Sequence, residues 1–113
     1  MDCIFCKIIN REIPATIIAE NDYALAFRDI YPKAPTHILI IPKLHISSTV
    51  DLDETNINYV SEMMLLANQI SVNENLNKNG YRWVINTGKD GGQTVFHIHL
   101  HLLGGRSLQW PPG

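Results

Sequence analysis

Histidine falls at positions 97, 99 and 101 of a 113-residue chain, and Ile98, Leu100 and Leu102 interleave with it. On an extended strand side chains alternate between faces, so His97, His99 and His101 share one face and the apolar residues take the other. Neighbouring histidines on that face have Cα atoms roughly 6.5–7 Å apart, near enough to serve one site. A single histidine there would read as an ordinary packed residue; three in strict alternation read as a site. Two chemistries use such a row. One is a catalytic metal held by a His-x-His pair. Hydrolytic metal sites usually add carboxylates, and here the acidic residues are scattered, with Asp51-Leu52-Asp53-Glu54 better explained as a helix start. The other is nucleophilic catalysis. Neutral imidazole attacks phosphorus readily and leaves again readily, which suits a two-step transfer through a phosphorylated enzyme. Neighbouring histidines then orient the nucleophile and stabilise charge on the phosphoryl oxygens.

The loop Asn86 to Thr94 precedes this row and holds Gly88, Gly91 and Gly92. Glycines let backbone N–H groups approach an anion and form a nest, although the P-loop spacing is absent and a strand rather than a helix follows. An ordinary glycine-rich turn is the plain alternative. Cys3 and Cys6, three positions apart, leave three readings open: a redox pair, two reduced thiols, or half of a zinc site.

These residues need elements to hold them. Cys3 to Asn10 reads as a short helix capped by Asp2 and broken at Pro14. Thr16 to Glu20 and Tyr23 to Arg28 flank Asn21-Asp22 as a hairpin, and Thr36 to Ile41 forms a third strand closed by Pro42. Ile57, Val60, Met63, Met64, Ala67 and Ile70 recur at helical spacing, which predicts one long helix over Glu54 to Glu74 with Asp51 and Asp53 supplying caps. Strands over Tyr81 to Asn86 and Val95 to Leu103 follow. The order β-β-β-α-β-β with short connections predicts an α+β fold with a five-stranded antiparallel sheet.

Composition sets outer bounds. Nine Lys plus Arg against eleven Asp plus Glu give a net charge of −2, which argues against nucleic acid or an anionic membrane as the main partner. No apolar stretch approaches a membrane span, the first residues lack a signal-peptide core, and two cysteines do not make a secreted disulfide scaffold. A cytoplasmic chain with one domain over residues 1–113 is expected.

The run His97-Ile98-His99-Leu100-His101-Leu102-Leu103 fits the His-φ-His-φ-His-φ-φ motif (φ, hydrophobic) of the histidine-triad, or HIT, superfamily of nucleotide hydrolases and transferases. Cys3 to Ile13, Phe27-Arg28-Asp29-Ile30, Ala34-Pro35-Thr36-His37, Ile41-Pro42-Lys43, His45-Ile46, Asn86, Gly91-Gly92-Gln93, Leu103-Gly104-Gly105-Arg106 and Trp110-Pro111-Pro112-Gly113 resemble its Hint branch, the purine nucleoside phosphoramidases. The resemblance implies a HIT-like fold with a long central helix and a short N-terminal one. It implies cleavage of the P–N bond of adenosine or other purine nucleoside 5′-phosphoramidates, through a nucleotidyl-histidine on His99. His101 and Thr94 would contact the phosphate with the Gly92 region, and His37 would orient the nucleophilic ring. Asp29 would bind the ribose hydroxyls. Phe5, Ile8, Phe27 and Ile30 would line the purine pocket, with packing in the core the rival role for each; Asn86 also belongs to the nucleotide site. Cys3, Cys6, His45 and His97 match a structural Zn²⁺ set that is not required for the chemical step. A homodimer is implied, paired through the central helix and one sheet edge, with Trp110 reaching the other subunit's site. Two other readings remain: a nucleotide-binding regulator with incidental hydrolysis, and a metal-dependent hydrolase.

Overall fold

The computed structural model describes residues 2–113. In chain order it contains α1 (Ile4–Ile9), β1 (Ile17–Glu20), β2 (Ala24–Arg28), β3 (Thr36–Pro42), a 3-10 turn at Thr49–Asp51, α2 (Ile57–Asn73), β4 (Tyr81–Val84), α3 (Gly88–Gly91) and β5 (Leu100–Gly104). The strands form one antiparallel sheet ordered β1-β2-β3-β5-β4. This is the α+β HIT fold expected from the sequence.

Alternation along the central strands makes two cores. Ala24, Ala26, Ile38, Ile40, Leu100 and Leu102 face α2 and pack on Val60, Met63, Leu66, Ala67 and Ile70. Leu25, Phe27, Leu39 and Ile41 point the other way and pack on Cys3, Phe5 and Ile8 of the α1 segment. β3 is buried on both faces, which is why its sequence is a nearly unbroken apolar run. The β1–β2 turn is held by Asn21, whose side-chain oxygen accepts from the N–H groups of Tyr23 and Ala24. Gly104 admits the exit of α2: a Cβ there would lie 2.8 Å from the Leu76 side chain.

Several boundaries differ from expectation, each for a local reason. Cys3, not Asp2, caps α1, its sulfur accepting from the Cys6 N–H. α2 begins at Ile57 because Asp53 and Asn56 exchange hydrogen bonds in a preceding turn, Asp53 accepting from Thr55 and Asn56 from the Asp53 N–H. β5 begins at Leu100, not Val95. Pro42 ends the neighbouring β3 and has no N–H to continue the ladder. The segment before Leu100 is held instead by the Ile98 N–H on the Ile46 carbonyl and by side-chain bonds. Among the described residues no helix is long and apolar enough to cross a membrane.

Candidate functional site

The expected alternation survives although the ladder stops short. Ile98, Leu100 and Leu102 are buried under α2, and the three histidines turn to the α1 side. There they divide between two clusters.

His97 is fully buried and faces Cys3, Cys6 and His45. Its Nδ1 lies 3.4 Å from Cys3 Sγ, 3.6 Å from Cys6 Sγ and 3.1 Å from His45 Nδ1, while Cys6 Sγ lies 3.4 Å from His45 Nδ1. A tetrahedral zinc with ordinary Zn–S and Zn–N bonds separates its ligand atoms by roughly 3.3–3.8 Å, so the donor set is already close to that size. The ring chemistry agrees. His97 Nε2–H donates to the Pro42 carbonyl at 2.9 Å, leaving the Nδ1 lone pair for the cluster. Burial pushes the Cys6 thiol up to about 11, aided by the neighbouring Cys3, so a cation is what would favour thiolates here. Burial also holds His97 down at about 4. The residues fit zinc.

His99 and His101 form the second cluster with His37 and Asp29. His99 Nδ1–H donates to the His97 carbonyl at 2.8 Å, which fixes the neutral tautomer with its lone pair on Nε2. Burial lowers its pKa below the ordinary histidine value, so the ring is neutral at pH 7. His101 is lowered to about 4 by burial and then by the neighbouring His99 and His37. The sequence placed His37 on the nucleophilic ring; the structure places it on His101, Nε2 to Nδ1 at 2.9 Å. The Lys33 N–H donates to His37 Nδ1 at 3.0 Å, so the proton of neutral His37 sits on Nε2, facing His101 and, at 3.4 Å, Asp29. Asp29, His37 and His101 are close enough to share a metal. A protonated Nε2 is a donor rather than a ligand, which argues against the metal-dependent hydrolase.

Phe5, Ile8, Phe27, Asp29, Ile30, Thr94, His99 and His101 all line one mainly apolar cavity of about 480 Å³, joined by Tyr31 and Leu39. Phe5, Ile8 and Phe27 are also buried core residues, whereas Ile30 is 81% exposed at the rim. The first three therefore pack in the core and wall the cavity at once. Asn86 lies in an adjoining groove of about 470 Å³ that shares Asp29, Tyr31 and His101 with that cavity and adds His37. Pro112 also lines that groove from the same chain. Trp110 is 80% exposed, and the tail before it is tied by Arg82 donating to the Gln109 carbonyl.

The glycine loop departs from the expected anion nest. It curls into one helical turn, with the Gly92 N–H on the Lys89 carbonyl, the Gln93 N–H on the Gly88 carbonyl and the Gly88 N–H on Gln93 Oε1. Gln93, named in the sequence only within the Gly91-Gly92-Gln93 match and given no role there, makes the turn. Its amide also donates to the Ser47 and Val95 carbonyls and so fixes the approach to the histidines. The Pro42 carbonyl and Lys33 N–H escaped notice too, because main-chain groups leave no residue-type signal.

A HIT domain profile matches residues 10–108. The chain is 54% identical over 112 residues to an uncharacterized HIT-like protein of Synechococcus elongatus, covering 99% of this chain and 97% of that one. It is 49% identical over 112 residues to a 14 kDa zinc-binding protein of Zea mays, covering 97% and 87% respectively. A crystal structure of a HIT family hydrolase from Legionella pneumophila superposes with a TM-score of 0.96 at 50% identity, covering 99% of this chain and all of that one. With the triad histidines on one face of a matching fold, the chain belongs to the HIT domain family.

Proposed function

We propose that this protein hydrolyses purine nucleoside 5′-phosphoramidates, releasing the nucleoside monophosphate and an amine through a covalent intermediate on His99. The observation that carries the reading is the His99 Nδ1–H bond to the His97 carbonyl, which leaves a neutral Nε2 lone pair on a ring lining the cavity. A neutral, oriented imidazole is what nucleophilic attack on phosphorus requires. The Legionella relative's description as a hydrolase supports the same class of reaction.

In this mechanism the base enters among Phe5, Ile8 and Phe27, and Asp29 meets the ribose hydroxyls. His99 Nε2 attacks phosphorus and the P–N bond breaks. The departing amine takes a proton from the His37–His101 pair, which the substrate's negative charge makes easier to protonate. Thr94 and His101 hold the phosphoryl oxygens. Water then attacks the nucleotidyl-histidine, the nucleoside monophosphate leaves, and the proton returns to the pair. Rapid quench on adenosine 5′-phosphoramidate tests this: a phosphorus adduct on His99 is expected, and an adduct on another histidine overturns it.

The Cys3–Cys6–His45–His97 set holds zinc in this reading, and the zinc-binding description of the maize relative supports it. Cys3, Cys6, His45 and His97 would hold the ion, and bound there zinc would cross-link α1 to the segments carrying His45 and His97. Reduced thiols suit a cytoplasmic setting.

The working form is a homodimer. Met64 and Leu65 on α2 are 40% and 60% exposed, beyond the stripe that its own core uses. β4 is a sheet edge with no neighbour on its outer side in the single chain. Trp110 is 80% exposed in the single chain, and in this reading it contacts the partner's site.

A further inference from the structure

We propose that Phe5 is a positioning residue through which the Cys3–Cys6–His45–His97 centre sets the orientation of the His99 ring. The inference rests on the reading of His99 as the nucleophile and goes beyond a purely structural role for the centre.

α1 is six residues long, too short to be stable by itself, so tertiary anchors decide where it sits. Cys3 and Cys6 share one side of this segment at a spacing of three and meet His45 and His97. Phe5 and Ile8, also three apart, share another side and enter the cavity wall. The same short element therefore presents the thiols to one cluster and an aromatic ring to the other.

That ring touches both. The Phe5 ring packs edge-to-face on His97 at a centroid distance of 5.9 Å and on His99 at 5.1 Å, with interplanar angles of 77° and 81°. Phe27 closes its far side at 5.5 Å. His99 has one ring bond that fixes its tautomer, to the carbonyl of His97, itself a member of the cysteine–histidine set. A single hydrogen bond leaves a ring free to rock about it. The aromatic contact supplies the second restraint, and it comes from one of the two residues between the cysteines. Shifting α1 therefore loosens the nucleophile as well as the pocket wall, with no change in any group that meets the phosphate.

The test is histidine ¹⁵N NMR on the metal-loaded protein, with steady-state kinetics beside it. Wild type is expected to show His99 as a single Nδ1–H tautomer. In Phe5→Leu its two ring shifts should move toward averaged values while the metal content stays the same, and kcat should fall about tenfold. Chelating the metal from wild type should move the His99 shifts the same way, and chelation of Phe5→Leu should add little, since both changes act through one contact. If Phe5 is only pocket wall, KM rises while kcat and the His99 shifts hold, and the proposal is overturned. It is likewise overturned if chelated wild type stays folded with the His99 shifts of the loaded form. Should the chelated chain unfold, the loaded Phe5→Leu spectrum decides alone, with Phe5→Met as the substitute if that variant does not fold. The spectra stand apart from turnover: a wild type inert on phosphoramidates sinks the proposed function and leaves the coupling to be judged on the shifts.

Discussion

His37 and His101 stand diagonally across β3 and β5, and their rings meet Nε2 to Nδ1 at 2.9 Å. With the Lys33 N–H on the far nitrogen of His37, the tautomers follow in sequence, and neutral His101 carries its proton on Nε2. A backbone amide four residues before His37 thus decides which face of His101 donates. Replacing His37 with Leu should lower kcat by about 10–100-fold with a smaller effect on binding of the nucleoside monophosphate. An unchanged kcat would remove His37 from the proton path.

His99→Ala should lower turnover by at least about 10³-fold while nucleotide binding stays measurable, because the lost group makes the covalent bond and not the pocket. Calorimetry with adenosine monophosphate reads the binding. Loss of both together would mean that His99 holds the site's shape.

Burial lowers the pKa of His99, so its neutral form dominates at and above neutral pH. kcat/KM should fall on the acid side, below the ordinary histidine value of about 6.5, as His99 takes up a proton, and fall again on the alkaline side as the His37–His101 pair loses the proton it gives the amine. An acid limb centred above pH 7 would contradict a neutral nucleophile. Stability follows the same sign. His101 is held at about 4, so between the ordinary value and 4 the unfolded chain binds a proton that the folded chain does not. Its contribution is complete above pH 6.5 and is lost as the pH falls toward 4, on the order of 1 kcal/mol per pH unit. Chemical denaturation at pH 7 and pH 5 checks this.

Purified protein should hold about one Zn²⁺ per chain, and Cys6→Ala should lose it and melt at lower temperature. The effect on kcat should be far smaller than that of His99→Ala, since none of the four ligands reacts with phosphorus. A metal-free variant melting like wild type would count against the site.

Sedimentation at micromolar concentration should give a species near twice 12.8 kDa. Leu65→Asp should shift it toward the monomer, and removing residues 108–113 should change substrate preference more than assembly. A fully active wild-type monomer would refute the shared site.

The sheet and both main helices were legible because each core uses a simple period: Leu25, Phe27, Leu39 and Ile41 for one face, and Val60, Met63, Ala67 and Ile70 for the helix on the other. The histidine row was legible because side chains alternate even where the ladder ends. The resemblance already grouped His97 with the cysteines; less visible was that His101, and not His99, turns to His37. The division is held by the Pro42 carbonyl and the Lys33 amide, main-chain groups that leave no residue-type signal, and by the Gln93 side chain on the Ser47 carbonyl. The glycine loop misled for a related reason. Glycines permit a nest or a tight turn alike, and the Gln93 side chain selected the turn.

The cysteine–histidine centre joins Cys3 to His97, 94 positions later. On the ribosome those 94 residues take roughly 5–20 s to add, and through that interval the Cys-x-x-Cys pair is outside the exit tunnel or approaching it without His97 to complete the set. Two thiols in an unfolded nascent segment are open to oxidation and to metals that bind sulfur more avidly than zinc does. The order of synthesis therefore makes the cell's thiol reductants and its free-metal levels part of how this site matures. Growth under oxidant or copper stress should yield folded chains with the wrong metal or none, at unchanged sequence and unchanged expression.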